Sequence, residues 1–153
     1  MKKFLIVALT IILVLVADLT TKHFLFEVEY FNLIPNVVSI ATNGGNTGAA
    51  WGIFSGKVAG LIITSVVMIA ALLIYNHFVK NKSVFYCISF GFILGGALGN
   101  LFDRVVFQYV RDFIFLDFWP SFPTFNIADM FLCIGAVMLA IHILFVPEKK
   151  SDK

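Results

Sequence analysis

The sequence predicts an all-α integral membrane protein with four transmembrane helices, a small extracytoplasmic β-rich cradle and an interfacial aromatic segment. Three observations carry this prediction. Hydrophobic residues make up 60% of the 153 residues, charged residues make up only 13%, and four apolar runs are long enough to cross a bilayer. A soluble domain of this size has too much surface for its volume to hide so many apolar side chains. The composition likewise excludes a disordered chain and a disulfide-stapled secreted module.

We expect one polytopic membrane domain over residues 1–153, with helices at about 4–22, 58–76, 84–102 and 127–146. The first apolar run follows Lys2 and Lys3, as a secretory signal peptide would. No small-x-small cleavage site follows it, because the chain continues with Asp18-Leu-Thr-Thr-Lys22. The sequence therefore predicts a retained first helix with Asp18 near its outer end.

The charges between the helices predict the orientation of the chain, since Lys and Arg accumulate on the cytoplasmic side of short loops. In a four-helix topology, one side has a net charge of +5 and the other a net charge of −3. Both termini are therefore predicted to be cytoplasmic. The whole chain has a net charge of +2, which is too small to indicate a nucleic-acid partner. The lysines of the positive side are Lys2, Lys3, Lys80, Lys82, Lys149, Lys150 and Lys153.

Two outer segments connect the predicted helices. The first, at about 27–57, contains the β-favouring run 37–42 followed by Gly44 and Gly45, which predicts a small strand or hairpin structure at the membrane surface. The second, at about 103–126, is rich in Phe and Trp and contains Pro120 and Pro123. Because aromatic side chains favour the lipid–water interface, we expect this segment to lie along the bilayer.

Seven polar residues gather at one edge of the predicted helices, which the topology places at the outer membrane face. Ionisable groups at or inside a bilayer are costly, so they usually pair with each other or serve a function. Two carboxylates in a poorly solvated site cannot both ionise easily, and this is the arrangement that aspartic proteases use. The alternative is structural, because an Asp-Arg pair at a helix end is often only an ion-pair anchor. The seven are Asp18, Asn100, Asp103, Arg104, Asp112, Asn126 and Asp129.

Other catalytic chemistries find little support. The motifs HExxH and GxSxG are absent, and His77 and His142 lie away from the polar edge. Cys87 and Cys133 lie in apolar runs without a ligand-spaced partner, so they predict small core residues. We expect no metal and no cofactor. The glycines of the third helix, Gly95, Gly96 and Gly99, predict close helix packing.

Five sequence blocks, in order, resemble the bacterial lipoprotein signal peptidases, also called signal peptidase II. A single such block would be weak, whereas all five on a four-helix chain are specific. The resemblance spans about residues 4–146. The blocks are Asp18-Leu-Thr-Thr-Lys22, Asn46-Thr-Gly48-Ala-Ala-Trp-Gly-Ile-Phe54, Gly95-Gly-Ala-Leu-Gly-Asn100-Leu-Phe-Asp103-Arg104, Val110-Arg-Asp112-Phe113 and Phe125-Asn126-Ile-Ala-Asp129.

The resemblance implies a membrane aspartyl endopeptidase of the bacterial cytoplasmic (inner) membrane, with Asp112 and Asp129 as its catalytic dyad. Its substrate would be a prolipoprotein whose cysteine already carries diacylglyceryl, cut just before that cysteine at the outer face. The other partners would be membrane lipids, and the protein would be a monomer. The resemblance implies a substrate-binding or dyad-orienting role for Asn46, Gly48, Asn100, Arg104 and Asn126, and supporting polar contacts for Asp18, Lys22 and Asp103.

Two alternatives stay open from the residues alone. A small proton- or ion-coupled transporter could use the same aspartates, and a non-catalytic membrane subunit would need no dyad. The chain also departs from the family pattern in the stretch Val105-Val-Phe-Gln108-Tyr109, where a glycine is common, and at Arg111 directly before Asp112. An inward Arg111 would lower the pKa of Asp112, whereas alternation along a strand would turn Arg111 outward.

Overall fold

Four long helices and a small sheet make up the computed structural model, which describes residues 1–42, 44–48 and 56–145. The helices are α1 (Lys2–Leu25), α2 (Val58–Phe78), α3 (Val84–Phe107) and α4 (Ile127–Phe145). The strands are β1 (Phe31–Ile34), β2 (Val38–Ile40) and β3 (Ile114–Leu116). All four helices are long and apolar enough to cross a membrane. The predicted fold class is thereby confirmed.

Helix α3 is the centre of the bundle. Glycines let it approach α1 closely, because added Cβ atoms at Gly95 and Gly99 would lie within 3 Å of Val14 and of Asp18. On its other side Gly96 packs against the backbone of α4. By contrast, α2 buries only Leu61 among its residues, and it lies at the edge of the bundle.

Two helices extend further than predicted. Helix α1 continues to Leu25, and α3 continues past Asp103 and Arg104 to Phe107, so the second outer segment begins at Gln108 rather than at 103. The charges do not end α3, because Asp103 is completely buried and paired with cations. The left-handed backbone of Gln108 ends it instead.

The sheet joins the two outer segments. Strand β1 pairs antiparallel with β2, and β2 pairs antiparallel with β3, with Ser39 opposite Phe115. Isolated bridges add Asn46 to Val110 and Ile114 to Phe125. Ile40 of β2 and Ile114 of β3 pack with Phe113 in a small buried core. The strands in 27–57 confirm the predicted β structure. Residues 49–55 of the Asn46 block and the lysines beyond 145 lie outside the described residues.

Candidate active site

The first turn of α4 holds Asp129 in a fixed place. Asn126 precedes the helix, and its side-chain Oδ1 accepts a hydrogen bond from the N–H of Asp129 at 3.0 Å. Oδ2 of Asp129 in turn accepts from the N–H of Asn126 at 3.2 Å. This reciprocal pair is a capping box, which satisfies two backbone donors at the start of the helix. The carboxyl of Asp129 is therefore oriented by the helix that carries it.

A residue of α1, Asp18, also caps the N-terminus of α4. Oδ1 of Asp18 accepts a hydrogen bond from the N–H of Ala128 at 2.9 Å, and its Oδ2 lies 2.8 Å from Nζ of Lys22. A negative charge at a helix N-terminus is favourable, because the unpaired N–H groups there carry positive partial charge. Asp18 and Lys22 are both completely buried, so this contact joins α1 to α4 inside the molecule.

Asp112 lies in the second outer segment, between two stretches of backbone pairing. Val110 pairs with Asn46 before it, and Phe113 and Ile114 bond to Phe125 after it. Its side chain accepts two amide hydrogen bonds, one from Asn46 to Oδ2 at 2.9 Å and one from Asn126 to Oδ1 at 2.7 Å. The first outer segment and α4 therefore both contact the same carboxyl.

Two amide side chains connect Asp112 to Asp129. Nδ2 of Asn126 donates to Asp112 and, at 3.0 Å, to Oδ1 of Asn100. Nδ2 of Asn100 then donates to Oδ1 of Asp129 at 2.7 Å. The two carboxyls are thus the two ends of one hydrogen-bond chain.

The orientation of each of the three amides is determined by a group that can only donate. Oδ1 of Asn46 accepts from the N–H of Gly48, and Oδ1 of Asn126 accepts from the N–H of Asp129. Oδ1 of Asn100 accepts from the ammonium of Lys22 at 3.0 Å. Each carbonyl oxygen is therefore occupied, and each NH₂ group must face a carboxyl or a neighbouring carbonyl.

Asp112 ionises near neutral pH. Its burial and the nearby charge of Asp129 raise the pKa of Asp112 to about 7, although hydrogen bonds from Asn46 and Asn126 and the charge of Lys22 oppose the shift. A carboxyl with this pKa can give or take a proton under physiological conditions, as a general acid or base must.

Two cavities meet beside these carboxyls. One of about 260 Å³ is lined by Asp112, Asp129, Asn46 and residues 122–125. The other, of about 290 Å³, is lined by Leu61, Thr64, Ser65 and Met68 of α2 together with residues of α3 and α4. Asn100, Arg104 and Asp129 line both cavities. A substrate could therefore occupy space on either side of Asp129.

Arg104 supplies positive charge to both cavities. Its Nε is buried and has no hydrogen-bond partner within the described part of the chain. Buried polar atoms normally have a partner, so this N–H is available to a ligand carbonyl. The sequence did not predict that Cys133 lines the first cavity; its spacing four residues after Asp129 on a helix was the available signal.

A set of buried charges lies beside the site, and we call it the ion quartet: Asp18, Lys22, Asp103 and Arg111. Nζ of Lys22 lies 3.3 Å from Oδ2 of Asp103, and Nη2 of Arg111 lies 2.7 Å from its Oδ1. Arg111 thus faces Asp103 in α3 rather than Asp112, which decides between the two orientations left open above. Sequence analysis missed this pairing, which depends on how the outer segment folds back onto α3.

The structure places the ten predicted site residues in two groups. Asn46, Asn100 and Asn126 contact Asp112 or Asp129 directly, Gly48 holds Asn46, and Arg104 lines both cavities. Asp18, Lys22 and Asp103 lie behind them in the ion quartet, where Lys22 contacts Asn100 and the two aspartates contact Lys22. Within residues 1–42, 44–48 and 56–145, no three metal-ligating side chains are close enough to hold an ion.

Comparison with known proteins gives consistent matches over most of the chain. A family model described as signal peptidase (SPase) II matches residues 10–145. The lipoprotein signal peptidase of Bacillus velezensis is 36% identical over 92% of this chain and 94% of its own, and that of Staphylococcus aureus is 35% identical over 93% and 90%. A solved bacterial membrane enzyme superposes with a TM-score of 0.76 at 33% identity, covering 99% of this chain and 93% of that one.

Proposed function

The chain belongs to the signal peptidase II family, and from that premise we propose that Asp112 and Asp129 are the catalytic dyad with which it removes signal peptides from prolipoproteins. One observation carries the assignment of the dyad: the two carboxyls share one cavity and are joined through Asn126 and Asn100. Membership of an aspartic peptidase family favours this function over a transporter.

The mechanism follows from a pair of carboxyls that cannot easily both ionise. One carboxylate takes a proton from a water molecule, whose oxygen attacks the scissile carbonyl carbon. The other carboxyl gives its proton to the amine nitrogen as the scissile C–N bond breaks, which releases the amine and leaves a carboxylic acid. Arg104 has a buried N–H free to bind a substrate carbonyl, and the three oriented amides hold both carboxyls in place.

The substrate proposed is a diacylglyceryl-modified prolipoprotein, cut just before the lipidated cysteine. Such a substrate is anchored by its acyl chains and its apolar signal helix, so its scissile bond lies at the outer face of the membrane. The candidate site lies at a helix end, beside spans long enough to cross the bilayer. A site at that depth meets the bond without drawing the substrate into water.

We propose that both termini are cytoplasmic and that the site faces outward in a bacterial cytoplasmic membrane. The helix ends opposite the site carry Lys2, Lys3, Lys80 and Lys82 and no acidic residue within the described part of the chain, which matches the positive-inside tendency. Both carboxyls and all three amides come from one chain, so a monomer contains the complete site.

A cleavage assay with purified protein tests the proposal. Wild type, Asp112→Asn and Asp129→Asn are mixed with a diacylglyceryl-modified prolipoprotein and with its unmodified precursor. Asp117→Asn is the matched control, because Asp117 is in the same outer segment but bonds to Ser39 and does not line the cavity. We expect cleavage of the lipidated substrate by wild type and Asp117→Asn, and a loss of about 10³-fold or more in both dyad variants.

Retained binding separates catalysis from folding in this assay. Each dyad variant should still capture the lipidated prolipoprotein in a pull-down, since Asn keeps the size of Asp and exchanges only one of its two acceptor oxygens for a donor. Cleavage at the wild-type rate by either dyad variant would refute the assignment of the dyad. A folded wild type that leaves the lipidated substrate uncut would refute the function itself.

A further inference from the structure

Three donor groups of Arg111 bind the carboxylate of Asp103 in α3. Its Nη2 lies 2.7 Å from Oδ1 of Asp103, its Nε donates to the same carboxylate, and its backbone N–H donates to Oδ2 at 3.0 Å. The guanidinium also lies over the ring of Phe107, 4.4 Å from its centre. The arginine side chain is 12% exposed and Asp103 is completely buried, so solvent screens this pair little.

The contact between Arg111 and Asp103 fixes the position of the backbone next to Asp112. Its neighbours on the other sides are the Val110–Asn46 bridge and the bonds from Phe113 and Ile114 to Phe125. The Val110–Asn46 bridge joins the two outer segments, and the bonds to Phe125 lie within the second, whereas the Arg111–Asp103 contact joins the Asp112 segment to a membrane helix. That same helix carries Asn100, the partner of Asp129.

Arg111 also balances the buried charge of the ion quartet. Lys22 alone would face two carboxylates, at 2.8 Å from Asp18 and 3.3 Å from Asp103, while donating to Asn100 as well. With Arg111 the quartet holds two positive and two negative groups. Without it, a buried negative charge would remain beside the site, and Lys22 would be drawn toward Asp103 and away from Asn100.

We propose that Arg111 is a positioning residue for the cleavage reaction. It holds Asp112 in place relative to Asp129, and it keeps the ion quartet neutral overall. The inference rests on the proposed function and extends it. Arg111 touches neither cavity, so it acts through Asp103 and the peptide bond to Asp112. Its loss should therefore lower turnover and leave substrate affinity nearly unchanged.

The charged groups around Asp112 determine how the pH profile of cleavage changes when Arg111 is replaced. A residual negative charge disfavours ionisation of Asp112, so its pKa should rise when Arg111 is neutralised. Because Asp112 ionises beside the charged Asp129, its pKa sets the high-pH limb of the activity profile, which then moves to higher pH. Among the described residues, the charges that act on Asp112 are those of Asp129 from α4, Lys22 from α1 and Arg104 from α3, while Asp103 and Arg111 lie behind Lys22 in the ion quartet.

The test compares Arg111→Met, Arg111→Lys and Lys57→Met in the full chain, with kcat, KM and the pH profile measured on the lipidated prolipoprotein. Lys57 is exposed, so its variant removes an equal charge without touching the quartet. For Arg111→Met we expect kcat to fall about 10- to 100-fold, as small misplacements of a reacting group do. KM should stay within about twofold, and the high-pH midpoint should rise by about 0.5–1 unit, less than a directly contacting charge would cause.

The double variant Arg111→Met with Asp103→Asn keeps the test decisive if the single variant folds poorly. It leaves Lys22 and Asp18 as a neutral pair, so its pH midpoint should return to the wild-type value while kcat stays low. Arg111→Lys should keep the wild-type midpoint. Wild-type kcat in Arg111→Met, or an unshifted midpoint there, would overturn the proposal. A wild type that cannot cleave the substrate at all would overturn the proposed function and this inference with it.

Discussion

Lys22 is a buried cation with three acceptors around it, and its role shows how single residues organise the site. Its ammonium contacts Asp18, Asp103 and the carbonyl oxygen of Asn100. Because the ammonium can only donate, it forces the NH₂ group of Asn100 toward Asp129. One side chain thus neutralises buried charge and orients the partner of a proposed catalytic residue.

We expect Lys22→Met to destabilise the fold by about 3–5 kcal/mol, the usual result of leaving a buried carboxylate unpaired. Cleavage should also fall, because the amide of Asn100 could then rotate. Thermal unfolding in detergent and the cleavage assay would measure both effects, with the exposed Lys57→Met as control. Equal melting temperatures for the two variants would contradict the role given to Lys22.

Sequence analysis predicted the polar residues but only some of their contacts. Residue type and helix-end position were enough to select Asp18, Asn100, Asn126 and Asp129. The ion pair of Arg111 with Asp103 was not predictable, because it requires the outer segment to fold back onto α3. The place of Cys133 in the cavity wall likewise depends on how α4 is rotated.

At the scale of elements, the contact between α1 and α3 determines where the site can form. The glycine pattern Gly91, Gly95 and Gly99 repeats every four residues, and these positions meet Thr10, Val14 and Asp18 in α1. The two helices therefore share a register along their whole contact. That register brings Lys22 to Asn100 and Asp18 to the start of α4.

Gly99→Ala tests this register. The added Cβ would lie 2.5 Å from Oδ2 of Asp18 and 3.4 Å from Cβ of Ala128, so one of these contacts must shift. We expect a loss of about 1–3 kcal/mol in stability, typical of overpacking, and reduced cleavage. Gly60→Ala is the control: nothing lies within 4 Å of its added Cβ, and alanine favours a helix by about 1 kcal/mol. Equal effects of the two substitutions on unfolding would argue against a register set by close packing.

Element boundaries show where sequence prediction reaches its limit. Hydropathy was enough to identify all four helices, since the bilayer sets their length. It placed the end of α3 too early, because a charge normally marks the end of an apolar span. Asp103 and Arg104 continue the helix instead, since cations from α1 and the outer segment pair with Asp103. The pairing of β2 with β3 joins residues far apart in sequence, so no local pattern encodes its register.

For the whole molecule, the distribution of charge predicts a single orientation in the membrane. The site end is rich in acidic groups, and the opposite helix ends carry lysines. Both features agree with a site on the outer face and with cytoplasmic termini.

Cysteine labelling in intact cells measures this orientation. Glu29→Cys and Lys80→Cys, both at exposed positions on opposite ends of the molecule, are introduced singly after Cys87 and Cys133 are replaced by alanine. A membrane-impermeant maleimide should label the Glu29→Cys protein directly and the Lys80→Cys protein only after the cells are permeabilised. The reverse pattern would contradict the proposed orientation.

The position of the second cavity has a consequence for how ligands reach the protein. Leu61, Thr64, Ser65 and Met68 line it from two turns of α2, a helix long and apolar enough to cross the bilayer. A ligand that enters that cavity from the lipid would arrive by two-dimensional diffusion, and its effective concentration would be counted per area of membrane rather than per volume of water. Apparent inhibitor potency then includes the partition coefficient of the compound, and added detergent or lipid slows the enzyme by surface dilution.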